Sequence, residues 1–225
     1  MSKRVPVRER PLIFIDTECT GLVPQVSEVI SFAAEKWEQG TLTGQMNIKI
    51  RPEYLDTPPP WAQTYWTLTE EFSLKVWKAH IAQALDVNGY SEGAWEGALD
   101  PKEALPLIMD YLKGSTVAGQ NVTYDIQLLE GHARNLELRV RLPYHKVDLV
   151  TLAYEHLVPL GLRSLSLTKE GGICDFMGIP IVDAHDAMGD VKMTRTAYFK
   201  LVRATWLNRL QWKLGWAARA LQPLR

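Results

Sequence analysis

The chain has 225 residues, of which 46% are hydrophobic and 23% are charged, an ordinary composition for a globular protein with a sizeable core. No apolar run reaches the roughly 20 residues that a membrane-spanning helix needs, and the basic start lacks the apolar core of a signal peptide. The two cysteines, Cys19 and Cys174, fit neither a disulfide framework nor a zinc site. We therefore expect a cytoplasmic protein without a membrane partner.

The net charge of −1 conceals an uneven distribution of charge along the chain. The 35 residues that follow Asp190 contain eight basic residues and no acidic residue, so the first 190 residues carry a net charge of about −9. A basic end of this kind can meet a polyanion. It can equally be the solvated face of a helix, and charge alone leaves both interpretations open.

The first third of the chain predicts three strands. Residues 11–16, with the sequence "PLIFID", form a continuous apolar run that is typical of a buried strand. Residues 27–37 and 41–51 are predicted as the next two strands of a meander, with Gly40 in the turn between them. Residues 52–100 are less regular, since their proline-rich part excludes both a helix and a central strand there.

Helices and short strands alternate in the remainder of the chain. We predict a helix over 100–114, a strand over 115–120, a helix over 121–138, a strand leading into a helix over 145–157, a short helix within 164–179 and a long final helix from Asp186. The resulting order, βββ-α-β-α-β-α, predicts an α/β fold, a mixed five-stranded sheet with helices on both faces.

Four carboxylates fall where this fold would bring them to one edge of the sheet. Asp16 and Glu18 end the first strand, and residues two apart in a strand share one face. Asp125 lies early in the helix after the fourth strand, and Asp190 lies at the start of the last helix. Such a cluster would repel itself without a cation, and oxygen ligands suit Mg²⁺ or Mn²⁺. Two such ions can act together on a phosphodiester.

A histidine precedes the last of these carboxylates. His185 lies five residues before Asp190, a spacing that separates the two by about 140° within one helix. They can share a site only if His185 lies in the loop and the helix begins between them, where Asp186 is a suitable N-cap. A loop histidine there could serve as the general base that takes a proton from water.

These residues fall in three segments that resemble the motifs of the DEDDh exonucleases, the DnaQ-like group with an RNase H-like fold. "FIDTECTG" at 14–21 resembles the first motif, with Cys19 where threonine is common. "VAGQNVTYD" at 117–125 resembles the second motif, and "AHDAMGD" at 184–190 resembles the third. The resemblance covers roughly residues 11–202.

The resemblance implies a metal-dependent 3′→5′ exonuclease that removes nucleoside 5′-monophosphates from the 3′ end of single-stranded DNA. By that resemblance the catalytic metal ligands would be Asp16, Glu18, Asp125 and Asp190, the base would be His185, and the terminal nucleotide would meet Thr17, Gly21, Leu22 and Asn121. Two ions of Mg²⁺ or Mn²⁺ would be bound. The alternatives are an exoribonuclease of the same fold and a proofreading-type subunit that mainly docks a polymerase; a homodimer is also possible.

Two parts of the chain depart from the family pattern. Residues 51–113 match it only loosely, with Tyr65-Trp66-Thr67 in place of the family's His-Gly-Ile. We therefore expect an exonuclease domain over 1–203 and a basic helical extension over 204–225. The stripe predicted to pack this end of the chain on the body consists of Phe199, Trp206, Leu210, Leu214, Ala217 and Leu221, and the residues predicted off it are Trp212 and Trp216.

Overall fold

The computed structural model describes residues 6–61, 70–182 and 186–220, and these contain a five-stranded mixed sheet in the order β3-β2-β1-β4-β5. The strands are β1 (Leu12–Cys19), β2 (Val29–Glu38), β3 (Thr41–Lys49), β4 (Thr116–Gly119) and β5 (Lys146–Asp148). The first three strands form the predicted antiparallel meander, while β4 and β5 run parallel to β1. The predicted α/β class and strand number are confirmed.

Seven α-helices lie in the described ranges. They are α1 (Glu70–Val87), α2 (Pro101–Leu112), α3 (Val122–Asn135), α4 (Leu149–Leu157), α5 (Ile173–Met177), α6 (Ala187–Val202) and α7 (Trp206–Ala220). Five of them begin or end close to the predicted positions. Among the described residues, no helix combines the length with the apolar character needed to cross a membrane.

Helix α1 lies in the stretch that the sequence predicted to be irregular. Trp77 and Ile81 are buried one turn apart on its inner face and pack against Val26, with Leu85 partly buried beside them. This four-residue spacing is a helical signal, which the prolines just before it outweighed in the prediction for this segment. The helix matters for function because its carboxyl end forms one wall of the cleft described below.

The two faces of the sheet carry different helices. Ile13 and Ile15 of β1 point into a core shared with α2 and α3. Phe14 lies between them in sequence and points into a core shared with α6. Since side chains alternate along a strand, Asp16 belongs to the α6 face and Thr17 to the α3 face. Helices therefore cover both faces, as predicted.

The long final helix predicted from the sequence is two helices. Helix α6 ends at Val202, and Thr205 and Asn208 begin α7 by exchanging hydrogen bonds, the hydroxyl and N–H of Thr205 donating to the Asn208 side chain at 2.9 and 3.0 Å. The Asn208 N–H donates back to the Thr205 hydroxyl at 3.4 Å. This reciprocal cap starts a new helix, so the apolar phase of α6 does not continue into α7.

The face of α7 that packs on the body differs from the predicted one. Leu210 and Leu214 were expected to be covered, yet their side chains are 44% and 61% exposed. Trp212, expected on the outer side, instead packs partly against the core formed by α4, α5 and α6. The side chains of Trp206, Trp216 and Ala217, and all of Leu221, lie outside the described residues. The prediction is confirmed for Phe199, which packs partly against the body, and it is wrong for Leu210, Leu214 and Trp212 because it assumed one continuous helix across the break.

Candidate functional site

Three of the predicted carboxylates meet at the end of β1. Asp16, Glu18 and Asp190 each offer a carboxylate oxygen, and these atoms all lie within 4.8 Å of one another. Strand alternation places the first two on the face that α6 covers. The Asp186 side chain caps α6 by accepting a hydrogen bond from the Gly189 N–H at 3.0 Å, so Asp190 falls in the first helical turn. The predicted start of this helix at Asp186 is confirmed.

The electrostatics of this cluster favour a bound cation. Burial, followed by repulsion from neighbouring carboxylates, raises the pKa of Asp16 well above its ordinary value. The same causes, burial first and Asp190 next, raise the pKa of Glu18 from 4.5 to about 8. A partly buried group of negative oxygens is stabilised either by protons or by a positive ion. Hard carboxylate oxygens at this separation fit a divalent metal ion.

Asp125 reaches the same strand end from the opposite face of the sheet. It lies in the first turn of α3, is only 4% exposed, and accepts hydrogen bonds from the Thr17 N–H at 3.0 Å and the Thr17 hydroxyl at 2.7 Å. Burial raises its pKa to about 7, although the two bonds from Thr17 oppose that rise. Thr17 stands between Asp16 and Glu18 in the chain, so it fixes Asp125 beside the other carboxylates.

His185 lies outside the described residues, so its proposed role as the general base stays a prediction. Asp186, the next residue in the chain, is the N-cap of α6. In the sequence His185 directly precedes this N-cap residue and lies five residues before Asp190.

A cleft of about 360 Å³ opens beside Glu18. Its lining residues are Thr17, Glu18, Cys19, Gly21, Leu22, Gln83, Ala84, Val87, Asn88 and Tyr124. Three of the residues predicted to meet a terminal nucleotide, Thr17, Gly21 and Leu22, are among them, and Leu22 is 76% exposed at the surface. The cleft combines an apolar wall with Glu18, one carboxylate of the cluster, an arrangement typical of ligand sites.

Asn121 does not line this cleft. It stands at the start of α3 in the left-handed conformation, with φ of 58°, and its backbone N–H donates to the Asp148 carboxylate at 3.0 Å. Asp148 also caps α4 through the Val150 N–H at 2.9 Å, so it ties the starts of two helices together. In this structure Asn121 therefore takes part in the turn that presents α3.

Two residues of the cleft were given no role from the sequence. The Asn88 side-chain amide donates to the Cys19 carbonyl at 2.9 Å, which attaches the end of α1 to the end of β1. The Tyr124 hydroxyl donates to the Gly21 carbonyl at 2.9 Å and fixes the loop after β1. Tyr124 directly precedes Asp125 in the second motif, which was the available signal, whereas Asn88 could not be placed without α1.

A buried histidine of α3 holds the backbone of β2 beside the same end of β1. The pairing of β1 with β2 shifts register between Glu18 and Cys19. The Val29 N–H at this shift donates to His132 Nδ1 of α3 at 3.1 Å. Burial lowers the pKa of His132 to about 4, so the neutral ring that can accept this bond is the stable form.

Comparison with known proteins places these features in context. No model of a known protein family matches the chain. It is 24% identical over 191 residues to the PolC-type DNA polymerase III of Thermotoga maritima, a match that covers 84% of this chain but only 12% of that protein. It is 22% identical over 196 residues to the DNA polymerase III subunit epsilon of Aquifex aeolicus, covering 87% of this chain and 82% of that subunit.

The fold is similar to solved exonuclease structures. Escherichia coli Exonuclease I in complex with a dT13 oligonucleotide superimposes with a TM-score of 0.60 and 20% identity, over 89% of this chain and 42% of that one. The chain thus spans less than half the length of this structural neighbour. Sequence and fold together confirm the similarity of this chain to the DnaQ-like DEDDh exonucleases and their RNase H-like fold.

Proposed function

We propose that this protein is a metal-dependent 3′→5′ exonuclease that shortens single-stranded DNA. The observation that carries the proposal is the group of three carboxylates within 4.8 Å of one another beside an open cleft. A purely structural role gives no reason to hold three carboxylates this close together, whereas two-metal phosphodiester hydrolysis requires such a group.

The residues of this chain would divide the work as follows. Asp16, Glu18 and Asp190 would hold one ion and Asp125 would join Asp16 at a second, with Mg²⁺ or Mn²⁺ as the ions. When bound, these ions supply positive charge that stabilises the charge developing on the phosphate and the leaving oxygen. Thr17 contributes by fixing Asp125 through two hydrogen bonds, so that the carboxylate need not reorganise when substrate arrives.

The proposed reaction is hydrolysis of the terminal phosphodiester. His185 would take a proton from the attacking water as the new P–O bond forms. The bond between phosphorus and the 3′-oxygen of the penultimate nucleotide breaks, and this oxygen takes up a proton from solvent to become the 3′-hydroxyl of the shortened strand. The released product is a nucleoside 5′-monophosphate, and the terminal nucleotide would lie in the cleft against Thr17, Gly21 and Leu22.

Single-stranded DNA is proposed as substrate because the similar proteins are DNA polymerase III components and an exonuclease seen with a dT13 strand. The similarity to an epsilon subunit supports association with a polymerase as a second proposal. We further propose that residues 1–203 form the exonuclease domain, with 204–225 as an extension, since α6 ends at Val202.

The direct test uses 5′-labelled DNA and RNA 20-mers of matched sequence with Mg²⁺. We expect a ladder that shortens from the 3′ end of the DNA and that chelator abolishes. Asp16→Asn should remove this activity, while Asp110→Asn, which alters an exposed carboxylate on α2, should leave it unchanged. Faster shortening of RNA would favour the exoribonuclease alternative. Failure to shorten either strand, or an Asp16→Asn variant as active as the parent, would contradict the proposal.

A further inference from the structure

A second concave surface lies between the end of β2, α6 and α7. This basic-aromatic groove, with a volume of about 600 Å³, is lined by Trp37, Arg195, Thr196, Phe199, Lys200, Arg203, Asn208, Gln211 and Trp212. Its lining includes three cations and three aromatic rings but no acidic residue. The carboxylate cluster takes no part in it, so its chemistry differs from that of the metal centre.

The groove lies toward the carboxyl end of α6, whereas Asp190 of the metal centre lies in its first turn. Phe199 follows Asp190 by nine residues, which corresponds to two and a half turns of helix, a rotation of about 180° and a rise of about 13 Å. Trp37 pairs with Leu12 at the start of β1, whereas the carboxylates lie near the end of that strand. A ligand in the groove would therefore not occupy the catalytic cleft.

The three cations of the groove differ in how they are neutralised. Arg195 Nε contacts the buried Glu35 carboxylate at 3.0 Å, so this charge is already paired. Among the described residues, by contrast, no carboxylate lies within 4.0 Å of Lys200 or Arg203. Both side chains are exposed, and the Arg203 guanidinium stacks over the Phe199 ring at 4.8 Å. Lys200 Nζ donates one hydrogen bond to the Met177 carbonyl at 3.3 Å, which leaves its charge and its other two N–H groups for an anion, together with the charge of Arg203.

The aromatic residues give the groove a second kind of contact. Trp37 and Phe199 pack edge to face with ring centroids 5.0 Å apart, and the guanidinium of Arg195 lies 5.4 Å from the Trp37 ring centroid. Trp212 is half-buried: part of its side chain packs against the core of α4, α5 and α6, and it also lines the groove. Its indole is therefore suited to stack on a planar group.

We propose that the basic-aromatic groove is a second contact for single-stranded nucleic acid, distant from the metal centre. Lys200 and Arg203 would bind phosphates, and Trp212 would stack on a base. Cations interleaved with aromatic rings are the arrangement by which proteins hold single strands without reading their sequence. The inference rests on the proposed function for the kind of polymer, and it adds a site that retains a long strand while its 3′ end is processed.

The test compares two double variants of the full-length protein. Lys200→Gln with Arg203→Gln removes the two groove charges that have no carboxylate within 4.0 Å, while Lys102→Gln with Lys113→Gln removes two exposed charges, on α2 and at its C-cap, as a control. Binding of fluorescent dT20 is measured in EDTA, which prevents cleavage, over a series of KCl concentrations. We expect the groove variant to bind about 10-fold more weakly and its log–log salt slope to fall by about 1.4, since each phosphate contact contributes about 0.7.

The control variant should bind as the parent does, and both variants should hydrolyse a dinucleotide in Mg²⁺ at the parent rate. Parent-like affinity and salt slope in a folded groove variant would overturn the proposal, as would an equal loss in the control. A glutamate 20-mer that binds the parent as tightly as dT20, with the same dependence on Lys200 and Arg203, would also overturn it and indicate an acidic protein partner.

Failure of this inference is distinguishable from failure of the proposed function. A parent that shortens DNA while the groove variant binds dT20 normally would refute the groove alone. A parent that never shortens a strand, yet binds dT20 through Lys200 and Arg203, would refute the exonuclease proposal and leave the groove as a nucleic-acid contact.

Discussion

Replacing Glu18 with glutamine should stabilise the metal-free protein at alkaline pH and weaken its response to Mg²⁺. Glutamine keeps the shape of the side chain but removes its charge from a cluster whose oxygens lie within 4.8 Å of one another. Removing one charge of an ion pair normally destabilises a protein, but the charged neighbours of Glu18 are also negative. The change should therefore remove repulsion from the folded state.

The magnitude follows from the pKa of Glu18, which burial and Asp190 raise from 4.5 to about 8. Without metal, the folded state retains a proton that the unfolded chain releases above pH 4.5. The free energy of unfolding therefore falls as the pH rises from about 4.5 to about 8. The full shift corresponds to about 5 kcal/mol, and proton sharing within the cluster reduces this to about 2–3 kcal/mol.

Thermal unfolding in EDTA measures this effect. At pH 8.5 the Glu18→Gln protein should unfold about 4–12 °C above the parent, and at pH 4.5 the difference should nearly vanish. Saturating Mg²⁺ should raise the melting temperature of the parent by mass action and that of the variant much less. Glu103→Gln, at an exposed site on α2, serves as the control. A variant whose melting temperature tracks the parent at every pH would refute the reasoning.

Three further predictions follow from neighbouring residues. His185→Ala should lower the hydrolysis rate by about 10²–10⁴ while the Mg²⁺-induced rise in melting temperature is kept; an unchanged rate and pH profile would assign the base elsewhere. Thr17→Val removes the hydrogen bond from the Thr17 hydroxyl to Asp125, so the pKa of Asp125 should rise further. We expect kcat/KM to fall about 10-fold and the acidic limb of the pH–rate profile to move to higher pH. A rate profile identical to the parent's would show that this bond does not position Asp125. Burial lowers the pKa of His132 from 6.5 to about 4 in the folded protein. As the pH falls below 6.5, this histidine is therefore protonated in the unfolded chain before it is in the folded one. The free energy of unfolding should fall by about 3 kcal/mol between pH 6.5 and 4. Denaturant titrations across that range should show a shallower pH slope for His132→Gln than for the parent, and equal slopes would mean that His132 does not contribute.

Short-range patterns in the sequence determined several features of this protein without the fold. The apolar run before Asp16 and the two-residue spacing to Glu18 predicted a strand end with two carboxylates on one face, and the structure has both. Asp186 predicted the start of α6, which in turn placed Asp190 in its first turn. These inferences succeeded because strand alternation and helix capping depend on residues only a few positions apart.

The tertiary structure decided which distant residues meet. Asp125 reaches the site from the α3 face through a hydrogen bond with Thr17, 108 positions away in the chain. Asn88 closes the cleft by donating to the Cys19 carbonyl across 69 positions, and it does so from the turn directly after α1, a helix that the prolines before it concealed. The break after α6 reset the phase of α7 and turned Trp212 toward the body. Local periodicity predicts which face of a helix or strand is apolar. What that face contacts depends on the positions of all the other helices and strands, so only the packed structure decides it.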